Sequence, residues 1–220
     1  MTGQCGLLIT LEGPDGAGKS VQSGVLAERL VASGRRVLLT REPGGTPLGE
    51  RIRDLLLDID AGVRDPLGDA MLFNAARRQL VADVLRPALA EGVVVVCDRF
   101  ADSTLAYQGY GAGAPIDALS ALAELSTGGL RPDRTVLLDL PVEAGLARRH
   151  RGDAAQLTRF EVGAAHDAEF HSRVRHGFLA LARADADRWR VVDASRDAAA
   201  VSADVWAAVT DLFAGPAGER

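Results

Sequence analysis

Eight consecutive residues near the start of the chain have the types and the spacing that bind phosphate. They follow an apolar run, residues 7–11, and their order is Gly13-Pro14-Asp15-Gly16-Ala17-Gly18-Lys19-Ser20. The glycines let backbone N–H groups converge on phosphate oxygens, Lys19 adds a positive charge, and Ser20 offers a hydroxyl to Mg²⁺. The spacing predicts that this loop, set between a buried strand and a helix, binds a nucleoside triphosphate.

Lysine usage in the rest of the chain supports this prediction. Lys19 is the single lysine, and the other 24 of the 25 basic residues are arginine. A chain that otherwise uses arginine has lysine at the position where a compact ammonium is needed rather than a planar fork. A merely structural glycine-rich turn would leave that choice without a reason.

Length and composition predict one ordinary soluble domain. The chain has 220 residues, of which 47% are hydrophobic and 25% charged, and the expected domain covers residues 1–214 with a disordered tail at 215–220. The net charge of −5 argues against a nucleic-acid binder. No apolar stretch is long enough to span a membrane, and two cysteines, Cys5 and Cys97, indicate a reduced, cytoplasmic protein.

Apolar runs alternate with helical patterns along the chain. Strands are expected at 7–11, 36–40, 93–97, 134–140 and 188–193. Helices are expected at 21–32, 48–57, 65–90, 101–108, 116–127, 142–150, 160–184 and 198–214, with a glycine-rich loop at 109–115. This alternation predicts an α/β fold, a doubly wound five-stranded parallel sheet with helices on both faces.

Charged residues follow two of the predicted strands at the edge where parallel sheets bind ligands. Arg41 follows the second strand, and Asp98 and Arg99 follow the third, so all three should face the same crevice as the phosphate loop. Arg53 and Arg77 lie on helices between these strands. Phosphoryl transfer needs cations around both the donor and the acceptor phosphates, and two phosphate-bearing substrates would use this many arginines.

A further arginine-rich segment, about residues 148–160, has the composition of a small lid. It contains Arg148, Arg149, Arg151 and Arg159 with small residues between them. Gly16 has no side chain, so the phosphate loop supplies no additional cation at that position. A closing lid can bring an arginine and expel water in one motion.

Five more stretches complete a specific combination of motifs. They are Arg41-Glu42-Pro43-Gly44-Gly45-Thr46, Phe73 with Ala75-Ala76-Arg77-Arg78-Gln79, Asp98-Arg99-Phe100 with Ser103-Thr104-Leu105-Ala106-Tyr107-Gln108-Gly109, Arg131-Pro132-Asp133, and Arg159-Phe160-Glu161. With them the chain, from about residue 7 to 195, resembles the bacterial type of thymidylate kinase, a P-loop nucleoside monophosphate kinase family. The resemblance implies transfer of the γ-phosphate of ATP to dTMP, giving dTDP and ADP in dTTP synthesis.

The resemblance also implies a dTMP site. Phe73 would stack on the thymine, and Arg77 and Gln108 would bond to the base edge. Tyr107 would lie under the sugar, where a ribose 2′-OH would clash, and Asp15 would meet the 3′-OH. The remaining implied contacts are Arg53 and Arg99 to the acceptor phosphate, Pro43 after a cis peptide bond, and Arg41, Ser103 and Thr104 around the nucleotide.

On the donor side, the implied catalytic residues are Lys19, Asp98, Arg99 and Arg159. ATP would be bound by the loop from Gly13 to Ser20 together with Arg148 and Arg151. Mg²⁺ would be held near Ser20, Asp98 and Glu161. The implied partners are ATP, dTMP and a second copy of the chain joined through helices, with no nucleic acid and no membrane.

Two positions depart from the family pattern. Val21 stands where many P-loop kinases have a second hydroxyl, which predicts weaker donor binding. Thr158 stands where the bacterial lid commonly has aspartate, which affects how the lid is anchored. The four histidines, His150, His166, His171 and His176, fit no metal-binding spacing and are predicted to lie on the surface.

Two other functions remain open at this level. The first is the same chemistry on another nucleotide or nucleoside, against which Phe73, Arg77 and Tyr107 argue. The second is a P-loop ATPase that acts as a switch or binding protein. A switch would leave the arginines at positions 41, 53, 77 and 99 without a role.

Overall fold

Five parallel strands form the centre of the molecule in the computed structural model, which describes residues 6–58, 65–150 and 168–213. Along the sheet the order is β2, β3, β1, β4, β5. The strands are β1 Leu8–Glu12, β2 Val37–Arg41, β3 Val94–Asp98, β4 Arg134–Asp139 and β5 Trp189–Asp193. The predicted α/β class and five-stranded parallel sheet are confirmed.

Nine α-helices connect and cover the strands within the described residues. They are α1 Lys19–Ala32, α2 Pro47–Leu57, α3 Pro66–Leu80, α4 Arg86–Ala90, α5 Ala101–Thr104, α6 Ile116–Thr127, α7 Val142–His150, α8 Ala168–Ala184 and α9 Ala198–Thr210. Side chains accept hydrogen bonds from free backbone N–H groups at two of the helix N-termini. Thr46 caps α2 in this way, and Asp65 caps α3.

Two π-helical turns depart from the predicted elements. The helix expected over 65–90 contains a π turn, Val81–Leu85, between α3 and α4. A second π turn, Leu105–Gly111, follows α5, so the expectation that residues 109–115 form a loop is wrong for its first three residues. Such turns depend on tertiary packing rather than on local sequence pattern.

Side chains of alternate strand residues enter two separate cores. Ile9 and Leu11 of β1 pack on one face of the sheet with residues of α1 and α9. Leu8 packs on the other face with Leu80 and Val81. Both faces of the sheet are therefore covered, as the unbroken apolar strands predict.

The second π turn packs against α8 through glycines. A Cβ on Gly111 would lie 2.7 Å from a methyl carbon of Val174, and one on Gly177 would lie 2.7 Å from the Cβ of Tyr110. Tyr107 extends the contact, with its ring centroid 6.0 Å from that of Phe178. The close approach holds the turn, and the polar residues on it, against a long helix.

Some expectations concern residues outside the described part. These are the lid beyond residue 150, the start of the helix expected at 160–184, and the tail at 215–220. None of the described helices combines the length and the apolar composition needed to cross a lipid bilayer.

The contact between Gly177 and Tyr110 predicts opposite effects for two equivalent substitutions. Gly24→Ala in α1 places its Cβ in open space and should raise the free energy of unfolding by roughly 0.5–1 kcal/mol, the helical preference for alanine. Gly177→Ala should lower that free energy by about 1–3 kcal/mol through overpacking. Urea unfolding followed by circular dichroism measures both, and stabilisation by both substitutions would contradict the contact.

Candidate active site

The phosphate loop connects β1 to α1 through glycines in left-handed backbone conformation. Gly13, Gly16 and Gly18 have φ angles of 142°, 78° and 88°, which residues with a Cβ rarely adopt. Helix α1 then begins at Lys19 without a side-chain cap or an acidic residue in its first turn. Its first backbone N–H groups and the positive end of its dipole form an anion site.

Lys19 is the cation of this loop. Its Nζ donates to the carbonyl oxygen of Pro14 at 2.9 Å, and the side chain is buried. Burial and repulsion from Arg99 lower the pKa of Lys19 to about 8, although Asp15 and Asp98 oppose the shift. The ammonium is charged at neutral pH and poorly solvated, which favours an anionic ligand.

Arg99 joins the phosphate loop to the helices that follow β3. Its Nη1 donates to the Gly13 carbonyl oxygen at 3.2 Å and to the Ser103 hydroxyl at 3.0 Å. Its Nη2 donates to Asp15 Oδ1 at 2.5 Å and to the Tyr107 hydroxyl at 3.2 Å. Within the described ranges Arg99 is the one non-glycine residue with positive φ, 68°, a backbone strain that is typical of functional sites.

Glu12, at the end of β1, is a residue that the motif analysis missed. The side chain is fully buried, and its two oxygens accept from the backbone N–H of Phe100 at 2.7 Å and from the Ser103 hydroxyl at 2.5 Å. Burial, with a smaller contribution from Asp102, raises the pKa of Glu12 to about 8. The signal available in the sequence was an acidic residue at the end of an apolar strand.

A cavity of about 240 Å³ shares Asp15 with the phosphate loop. Ten of the eleven residues predicted to contact dTMP line it, namely Asp15, Pro43, Arg53, Phe73, Arg77, Arg99, Ser103, Thr104, Tyr107 and Gln108. Arg41 does not line this cavity, because its guanidinium is bound to Glu50 at 3.0 Å. Three further lining residues had no predicted contact with a ligand: Glu42 and Phe100, which the sequence indicated only as members of motifs, and Leu57.

The cavity has an aromatic part and a cationic part. Phe73 and Tyr107 offer ring surfaces, and the Arg99 guanidinium carbon lies 4.9 Å from the Tyr107 ring centroid. Arg53 donates to the carbonyl oxygen of Pro43 at 3.1 Å, and the peptide bond before Pro43 is cis, as expected. Burial and the neighbouring Arg41 lower the pKa of Arg53. A ligand with a flat ring and a phosphate matches these walls.

Arg77 lies at the cavity wall in a buried ion pair. Its Nε donates to Glu42 Oε2 at 2.8 Å, and only 1% of the Arg77 side chain is exposed. Burial raises the pKa of Glu42, and Arg77 opposes this shift. The sequence indicated Glu42 only as a member of a motif. In the structure it lines the cavity and holds Arg77 in place.

Ser20 and Asp98 form an oxygen-rich corner next to Lys19. The Ser20 hydroxyl donates to Asp98 Oδ2 at 2.5 Å, and Asp98 Oδ1 is buried with no hydrogen-bond partner in the described residues. Hard oxygen atoms of this kind suit Mg²⁺, which uses one or two protein ligands and completes its shell with water and phosphate. The described residues contain no cluster of three Cys, His, Asp or Glu side chains that could hold a metal ion.

The remaining predicted site residues lie partly outside the described ranges. Arg151, Arg159 and Glu161 are among them, as is the altered lid position Thr158. Arg148, on α7, donates to the carbonyl oxygen of Ala194 at 3.0 Å, just after β5. The structure therefore places Arg148 beyond the carboxyl end of the sheet, the side on which the phosphate loop lies.

One histidine prediction is wrong. His171, on α8, is 4% exposed rather than on the surface, and it lies with Pro14 and Gly145 around a small gap behind the phosphate loop. His176, on the same helix, is exposed as expected, whereas His166 and the side chain of His150 lie outside the described part of the chain. The helix presents one face to the core, and helical spacing puts His171 with the buried Val174 on that face.

Comparison with known proteins agrees with this geometry. The chain is 50% identical over 206 residues to the thymidylate kinase of Deinococcus radiodurans, a match that covers 94% of this chain and 97% of that protein. It is 52% identical over 205 residues to the thymidylate kinase of Thermomicrobium roseum, covering 93% and 95% of the two chains.

Solved structures and the family's sequence pattern give the same result. The crystal structure of thymidylate kinase from Ehrlichia chaffeensis has a TM-score of 0.75 to this fold, with 35% sequence identity over 94% of this chain and 99% of that one. The pattern of the family described as thymidylate kinase matches residues 11–205. The chain belongs to the thymidylate kinase family.

Proposed function

We propose that the chain transfers the γ-phosphate of ATP to dTMP and releases dTDP and ADP. Phosphorylation of dTMP is the activity of its family. The observation that carries the assignment is the position of the 240 Å³ cavity, which meets the phosphate loop at Asp15 and Arg99. A nucleotide in the cavity would have its phosphate close to the terminal phosphate of a triphosphate on the loop.

The donor is held by the loop and by the start of α1. Backbone N–H groups bind the β- and γ-phosphates, and Lys19 neutralises the charge that develops between them. Ser20 and Asp98 would hold Mg²⁺, which screens the phosphate oxygens when it is bound. We place Arg148, Arg151 and Arg159 on the donor phosphates and Glu161 on the metal, as the family resemblance implies.

The acceptor is held by the cavity. Phe73 stacks on thymine, Arg77 and Gln108 bond to the base edge, and Tyr107 with Asp15 surrounds the deoxyribose. Arg53 and Arg99 bind the acceptor phosphate, Ser103 and Thr104 contact the nucleotide, and Arg41 closes the outer side. The acceptor oxygen attacks the γ-phosphorus in line, so the protein needs no nucleophile of its own.

We further infer that the chain acts as a homodimer in the cytoplasm, the compartment that supplies ATP and keeps the Cys97 thiol reduced. Helix α3 packs against both α2 and α6. These three helices carry five of the ten large apolar side chains that are exposed in the described residues, namely Leu48, Leu55, Met71, Ile116 and Leu125. Ile116 and Leu125 lie on opposite sides of α6 because they are nine positions apart, so a second copy packed over α2, α3 and the Leu125 side of α6 would bury the other four.

The reaction is tested by an acceptor panel. ADP release from Mg²⁺-ATP should be fast with dTMP, weaker with dUMP, and negligible with dCMP, UMP, GMP or no acceptor. Preference for another monophosphate would transfer the assignment to that nucleotide, and acceptor-independent release would favour a P-loop switch.

Lys19→Ala should lower kcat with dTMP by about 10²–10³-fold, the usual effect of removing one transition-state contact, while leaving the circular dichroism spectrum unchanged.

The lowered pKa of Lys19 predicts a pH dependence. The ammonium is charged below its pKa of about 8, so kcat/KM for ATP should be constant below that pH and fall about tenfold per pH unit above it. Glu12 titrates in the same range and provides the control. Glu12→Gln should keep the fall, with its midpoint shifted slightly lower because Glu12 stabilises the ammonium. A flat profile up to pH 10 would contradict this role of Lys19.

The proposed dimer predicts different effects for two equally exposed residues. Met71, on α3, and Val191, on the edge strand β5, are each 53% exposed. Met71→Glu should convert the dimer to a monomer because it places two charges in an apolar contact. Val191→Glu should leave the dimer intact. Light scattering after gel filtration measures both masses, and a dimer that survives Met71→Glu would exclude this face.

A further inference from the structure

Arg77 is fixed from several directions at the cavity wall. Besides the bond from Nε to Glu42, its Nη2 donates to the Phe100 carbonyl oxygen at 3.2 Å and to the Thr104 hydroxyl at 3.0 Å. Its Nη1 donates to Asn74 Oδ1 at 2.8 Å. Asn74 lies one helical turn earlier on α3, and no motif in the sequence indicated it.

These contacts leave Arg77 a single free donor. A guanidinium has five N–H groups in a rigid planar fork, and the four bonds above use all of them except one on Nη1. The second N–H of Nη1 therefore has no hydrogen-bond partner in the described part of the chain. Because the guanidinium is a rigid plane, its four bonds together set the direction of the remaining N–H, and the bond to Asn74 is the one made by the same nitrogen.

Asn74 is itself held in one orientation. Its Nδ2 donates to the Ala70 carbonyl oxygen at 2.8 Å, and its Oδ1 also accepts from the Ser126 hydroxyl of α6 at 2.7 Å. Asn74 and Ser126 are each 5% exposed. Since the amide nitrogen faces Ala70, the oxygen must face Arg77, and both bonds are buried.

We propose that Asn74 is a positioning residue that directs the free N–H of Arg77 at a base with a carbonyl oxygen at position 4. The inference rests on the proposed placement of the base edge against Arg77. Thymine and uracil carry an acceptor at that position, whereas cytosine carries an amino group. Two donors facing each other leave both unpaired in a buried site, and an arginine fixed by Asn74 cannot turn away to relieve this.

The test compares acceptor discrimination in variants of this cluster. Asn74→Leu removes the acceptor at similar volume, and Asn74→Ala is the second choice if that variant does not fold. The ratio of kcat/KM for dTMP to kcat/KM for dCMP should fall about tenfold, as expected for the loss of one hydrogen bond to a charged group. The ratio for dTMP to dUMP should not change, because both bases carry the same oxygen.

Three further measurements separate positioning from general destabilisation. Asn74→Asp keeps an oxygen toward Arg77 and should retain the discrimination. Ser126→Ala removes the outer bond of the same cluster but leaves the bond between Asn74 and Arg77, and it should also retain it. In Asn74→Leu the KM for dTMP should rise while kcat at saturation stays near the wild-type value, because the contact is made equally before and during transfer.

Arg77→Lys distinguishes failure of this inference from failure of the proposed site. If Arg77→Lys lowers the dTMP to dCMP ratio and Asn74→Leu does not, Asn74 does not position the arginine, and the inference is overturned alone. If neither variant changes the ratio, Arg77 does not contact the base, and the proposed base placement fails with it. Competition by dCMP against dTMP gives the ratio where turnover of dCMP is too slow to measure.

Discussion

The guanidinium of Arg99 is the interaction on which the site depends. Through four hydrogen bonds it ties the phosphate loop, at Gly13 and Asp15, to the helical segment that carries Ser103 and Tyr107. The residue occupies left-handed backbone to do this, at a cost of about 1–2 kcal/mol. Because these bonds join the phosphate loop and the cavity into one unit, the fold itself sets the distance between them.

Around Arg99 the chain buries an unusual amount of charge. Glu12, Lys19, Glu42 and Arg77 are all buried, with at most 7% of any of them exposed, at or near the carboxyl end of an apolar sheet. Removing a charge from water is costly unless partners replace the lost solvation; each of the four has at least one hydrogen-bond partner, although Glu42 Oε1 is buried with none in the described residues. The same burial moves the pKa values of Glu12 and Lys19 toward each other from opposite sides, so the corner next to the phosphate loop is sensitive to whatever charge enters it.

The sequence predicted the sheet and the phosphate loop because both depend on local patterns, namely the unbroken apolar run that became β3 and the spacing of glycines before Lys19. Most of the residues that line the cavity were expected from the resemblance to a known family, and no local pattern indicated them. The parts that could not be predicted depend on partners distant in the chain. Glu12 contacts residues about 90 positions later, Asn74 meets Ser126 across two helices, and the burial of His171 depends on how α8 docks. The π turn at Leu105–Gly111 similarly requires the neighbouring α8, which a local pattern does not contain.

The single lysine of the chain has a chemical consequence. Reagents that acylate or alkylate amines have one side-chain amine to attack, and that amine lies in the phosphate loop. Its lowered pKa makes the nucleophilic neutral form accessible in mildly alkaline solution, while its burial shields it from bulky reagents. A covalent label on this protein's lysine, distinguished from a label on the α-amine of the chain, would therefore report directly on the occupancy of one site.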